Sequence, residues 1–182
     1  MRPLPLLPAG LSALTRVVRV LTALGAGVLC VVPAWFWLTP DWVRAQGPSL
    51  SGIGNHPMVV DDRAIALGAL CSLPPIAVAL YALWHLWQLF GEYGQGRVFG
   101  QAAQVHLRRF AWAMLASALL APFERAAIGI ALTLGNPVGQ RLLVLGINWN
   151  DYITILTGAV LLAVATVMTE AVRLAEENEG FV

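Results

Sequence analysis

Few residues in this 182-residue chain could do chemistry, and the most conspicuous are Glu124 and Arg125, opposite charges inside an apolar run from Phe110 to about Leu134. Ionisable groups at membrane depth mark ion paths, relays or ligand sites, because an unpaired charge there is costly. Neighbouring residues point about 100° apart on a helix, so the two do not face one another. Each needs its own partner or water. Counted from Arg109 at ~1.5 Å per residue, Glu124 lies about 22 Å along a hydrocarbon core about 30 Å thick. From there both charges can reach the outer interface, with the span ending early or kinking at Pro122. The alternative is a buried polar site between helices, as in a small transporter or channel subunit.

The other chemically suggestive groups carry less. His56, Asp61 and Asp62 are metal-ligand types within seven residues, but they sit in a loop rich in Pro and Gly and read as a solvated outer loop. Gly91, Gly94, Gly96 and Gly100 resemble a phosphate loop only in composition. No strand precedes them and the chain has no lysine at all, which removes both a P-loop lysine and a Schiff-base lysine. No span pairs a nucleophile with a base or shows a His-x-x-x-His spacing, so no enzyme, catalytic residue, metal or cofactor is expected. His85 reads as an interfacial hydrogen-bonding residue.

The elements that must position these groups are membrane spans. A chain 58% hydrophobic and 12% charged cannot bury its apolar side chains in one soluble core. Four stretches reach the ~20 apolar residues a bilayer crossing requires, at about 20–38, 64–90, 110–134 and 152–171. The expected fold is an all-α, polytopic four-helix bundle in a single membrane domain. A formal net charge of +1 gives no field for direct nucleic-acid binding.

Outside the spans, seven arginines (2, 16, 19, 97, 108, 109 and 173) fall on one side and three (44, 63 and 141) on the other. The positive-inside rule then puts both termini and the connector 91–109 in the cytoplasm, with outer loops at 39–63 and 135–151. Trp35, Trp37 and Trp42 form an aromatic belt at the outer end of the first span, and Tyr81, Trp84, Trp87 and Phe90 a second at the inner end of the next. Pro40, Gly47, Pro48, Gly52, Gly54 and Pro57 are expected to keep the first outer loop irregular, and Pro74-Pro75 to kink the second span. Cys30 and Cys71 lie within spans as small hydrophobes.

Small residues four apart, Ala23/Gly27, Gly68/Ser72, Thr154/Gly158 and Ala159/Ala163, are surfaces for close helix approach. They fit contacts within one bundle or between copies in a homo-oligomer, and the pattern does not choose. The tail from Glu170 to Val182 has four glutamates against one arginine, an acidic extension of the last helix.

Two stretches together resemble a family of bacterial membrane proteins, DUF2975. The first comprises Leu89-Phe90, Tyr93, Gly96, Val98-Phe99 and Leu107-Arg108; the second comprises Glu170, Leu174, Glu177-Asn178 and Val182. The sequence departs from the family pattern at Gln104 or its neighbours, where an asparagine is expected after the Phe, and in its outer loops. The resemblance implies four transmembrane helices in the bacterial cytoplasmic membrane, an adjacent gene for a small helix-turn-helix regulator, and no known reaction. With it, Gly96, Phe99, Leu107, Arg108, Glu170, Leu174, Glu177 and Asn178 become the expected docking face for that regulator. The protein is then expected to be a non-enzymatic anchor or sensor in contact with the lipid bilayer.

Overall fold

The structure, a computed structural model, describes residues 9–54 and 56–179. Among the described residues there are five helices and no strand: α1 (Ala9–Leu38), α2 (Pro40–Ser51), α3 (Asp62–Gly94), α4 (Gln101–Thr133) and α5 (Trp149–Glu179). Four of them are long and apolar enough to cross a bilayer, so the chain is a multi-pass, all-α membrane protein.

Packing follows the order α1, α3, α4, α5, with the short α2 laid across α4 and against the end of α1. α4 can sit between α3 and α5 because Ala103, Ala111, Ala118 and Ala126, all buried, recur every two turns and leave room for the neighbouring backbones. α1 instead exposes Leu14, Val17, Leu21, Leu24, Val28 and Val31. In water that row would be an aggregation surface, and in a bilayer it meets acyl chains at no cost.

The densest packing lies at the α2 end, where Phe36, Trp37, Val43, Ile53, Ala64, Ile128 and Leu132 form one buried cluster. Here the expectation of an irregular first loop is corrected. Pro40 occupies the first helical position of α2, where its missing N–H has no partner to lose, and Gly52 closes the helix in the left-handed conformation (φ 73°). Val43, Gly47 and Ser51, each four residues apart, are the buried stripe of α2. The would-be helix breakers act as the helix's ends and as its contact face.

Pro122 does not end the third span either. α4 continues eleven residues past it to Thr133, with Ala126, Ile128, Gly129, Ala131, Leu132 and Thr133 all buried. Pro74 and Pro75 likewise lie inside α3. Gly91 and Gly94 belong to the last turns of α3, so the connector shrinks to residues 95–100. Tertiary packing outweighs the ~1 kcal/mol that a helical glycine costs.

Candidate functional site

The α2 end holds a cavity of about 840 Å³. Its floor is α3 (Ser72, Pro75, Ile76, Ala79), its walls are α1 (Phe36, Trp37) and α4 (Ser117, Glu124, Arg125), and α2 roofs it with Trp42, Gln46 and Leu50. Trp37 is fixed by two contacts: its Nε1–H donates to the Ser72 hydroxyl at 3.0 Å, and its ring lies where a Cβ on Gly68 would stand. Phe36 meets the edges of Trp37 and Trp42, at centroid distances of 4.9 and 5.6 Å.

Arg125 and Glu124 part company on this wall, as adjacent helical positions must. Arg125 reaches α5, where Nη1 and Nη2 donate to the two carboxylate oxygens of Asp151 at 3.1 and 2.5 Å, and Nη2 also donates to the Gly146 carbonyl at 2.9 Å. Asp151 is almost wholly buried (3% exposed), and the Asn148 backbone N–H donates to it at 2.9 Å. The Arg125 side chain is 23% exposed. Such a two-pronged pair satisfies both charges. Glu124 lines the cavity and, among the described residues, its carboxylate makes no hydrogen bond or ion pair. Asp151 was not singled out from the sequence, because an aspartate at a loop end looks like any other loop acid.

At the opposite end the six-residue connector is fastened from both sides. Glu92 accepts from Arg97 Nε and Nη2 at 2.6 and 2.9 Å, and its backbone carbonyl accepts from the N–H groups of Gln95 and Arg97. The Glu92 carboxylate pushes the Arg97 guanidinium further up from its ordinary value, so the cation persists. Gly96 adopts φ 79°, a conformation a side chain would strain. Gln104 Nε2 donates to the Phe99 carbonyl at 3.1 Å. The result is an aromatic ring, Phe99, held 65% exposed on a fixed turn.

Of the expected docking residues, Gly96, Phe99 and Arg108 are exposed and Leu107 is half-buried. α5 runs antiparallel to α4, with Gly158 packed on Leu115 and Asp151 on Arg125, so Glu170 and Leu174 reach the connector end. There Glu170 pairs with Arg173. Glu177 and Asn178 are helical, but their side chains lie outside the described residues, as does Val182 altogether.

Just inside the connector lies a pairing the sequence reading missed. His85 is buried (3% exposed), its Nδ1 stands 2.9 Å from His106 Nδ1, and the edge of Tyr81 closes over it at 4.4 Å. Its Nε2 is buried without a hydrogen-bond partner among the described residues. Arg19 of α1 covers the Trp87 ring at 4.3 Å. A signal for the histidine pair was present: His85 and His106 lie nine and five residues from the facing ends of α3 and α4, close to equal depths in a helical hairpin. His56 Nε2 is bonded to the Gln140 carbonyl at 2.8 Å and Asp61 caps α3 through the Ala64 N–H at 2.7 Å, which gives both a structural role in the loops.

Residues 56–181 match the family model for DUF2975, described as a protein of unknown function. No curated protein and no solved structure matches the chain.

Proposed function

The chain belongs to the DUF2975 family, and from that premise we propose that it is a non-enzymatic membrane anchor or sensor whose connector holds a soluble cytoplasmic regulator, of the small helix-turn-helix kind. The observation that carries this reading is Phe99, a large apolar ring presented outward on a turn that the Glu92–Arg97 pair and the Gln104 bond keep in shape. Exposed aromatic side chains on a preorganised surface are the usual anchors of protein contacts. Arg108, exposed on α4, adds a charge for orientation. The arginine distribution supports a cytoplasmic position for this end of the bundle. Co-purification of the product of the neighbouring regulator gene with the wild-type chain, and its loss from Phe99→Ser and Arg108→Ala variants that still fold, is the expected result. Equal recovery from all three would refute the docking face.

The cavity favours a second reading, a small transporter or channel subunit using Glu124. Against it, the Arg125 charge is taken up by Asp151, and the histidine pair at the other end belongs to a different set of contacts. Solute flux in proteoliposomes that is lost on Glu124→Ala would support transport, whereas flux that persists would remove this route.

A further inference from the structure

We propose that the cavity at the α2 end is a binding site for a lipophilic monocation, an amine or onium ion carrying apolar groups. The inference goes beyond the readings above and rests on the cavity alone; nothing need cross the membrane or dock at the connector for it to hold.

The charge count comes first. Three ionisable groups converge on α4 and the start of α5: Glu124, Arg125 and Asp151. Arg125 and Asp151 cancel through a two-pronged ion pair, with the guanidinium also committed to the Gly146 carbonyl. Glu124 is left without a hydrogen bond or ion pair among the described residues, and it lines the cavity. With Glu124 ionised, the net charge of the trio is −1. A half-buried carboxylate gains more from a cation brought to it than it would in water, because the surrounding dielectric is low.

The remaining lining sets the ligand's other property. Phe36 stands at steep angles to Trp37 and to Trp42 (78° and 68°), all three rings line the cavity, and Trp42, 38% exposed, is the most open of them. The Trp37 N–H is already donated to Ser72, so this indole offers a ligand no hydrogen-bond donor. Aromatic faces beside a carboxylate recognise ammonium and onium ions, and repel anions. Ile76, Ala79 and Leu50 supply apolar surface for the rest of the molecule. An anionic guest would meet Glu124 head-on and find the one guanidinium of the wall occupied. α1 and α4, the two walls, each pack on α3 and on α2.

The decisive comparison uses two ions of the same shape and opposite charge. The purified full-length chain in an uncharged detergent is dialysed to equilibrium against tetraphenylphosphonium and, in parallel, tetraphenylborate, with protein-free micelles subtracted. The expected result is saturable uptake of about one phosphonium per chain and no saturable uptake of the borate. Glu124→Gln should weaken phosphonium binding by about tenfold or more, and Glu124→Asp should retain most of it. Equal uptake of both ions would mean that the cavity is a crevice for any acyl-chain-like molecule and would overturn the proposal. So would undiminished binding to Glu124→Gln. Should Glu124→Gln fail to fold, the charge discrimination by the wild type decides alone.

Discussion

Trp37 donates its indole N–H to the Ser72 hydroxyl while its six-membered ring occupies the space beside Gly68 where a side chain would begin, one helical turn earlier on α3. Gly68 and Ser72 are thus a seat for one aromatic side chain of α1. A methyl group at position 68 would collide with the six-membered ring of that indole, so Gly68→Ala should cost about 1–3 kcal/mol, the usual range for overpacking a core. Ser72→Ala should cost a similar amount by stranding a buried N–H. Thermal unfolding in detergent measures both. A Gly68→Ala protein as stable as wild type would show that Trp37 is not seated there.

The pairing of Arg125 with Asp151 predicts a different pattern. Removing either charge leaves the other unpaired in a poorly solvated place, with an expected loss of about 2–4 kcal/mol for Asp151→Asn. Replacing both with leucine should recover much of it, since a buried ion pair gains little over well-packed apolar side chains. A double-mutant cycle on unfolding midpoints checks this; simple additivity of the two single losses would contradict a direct pair.

For the histidine pair, one Nδ1 must carry the proton and the other must accept it, since the two atoms are 2.9 Å apart. His106→Ala takes the Nδ1 hydrogen-bond partner from a buried ring whose Nε2 has none among the described residues, and should cost about 1–3 kcal/mol. His106→Asn, with an amide able to donate or accept, should lose less. If both substitutions are equally harmless, the bond contributes nothing to joining α3 and α4.

Phe99 behaves oppositely. It is exposed, so Phe99→Ser should leave the unfolding temperature of the isolated protein within about 2 °C of wild type. Combined with loss of a co-purifying partner, that result separates a recognition residue from a structural one. A large drop in stability would place the ring in the fold and not on a docking face.

The four membrane helices were legible because span length and hydropathy answer to the bilayer alone, whatever the neighbours are. α2 was not, because Pro40 and Gly52 were weighed as breakers without regard to position. At a first turn and a C-terminus the same residues are helix signals, and the Val43, Gly47, Ser51 spacing shows the face. Glu124 and Arg125 were visible as charges in an apolar run, and the divergence of their side chains follows from helix geometry. Their different fates depend on Asp151, twenty-six residues on from Arg125, a long-range contact that periodicity cannot encode. The connector is narrower than its glycines suggest, since Gly91 and Gly94 both stay helical, and at Gly94 α1 packs close: a Cβ there would stand 3.1 Å from Thr15.

α3 and α4 are 33 residues each. At ~1.5 Å per residue they measure about 50 Å, against a hydrocarbon core of about 30 Å. Even tilted by about 20°, each keeps some 47 Å along the membrane normal, so roughly 17 Å of paired helix must emerge among the headgroups or beyond. The hairpin is a ruler longer than the layer it crosses. How far its turn, with Phe99 upon it, stands off the surface is therefore set by membrane thickness as well as by the protein, and a thinner bilayer lends it a longer reach.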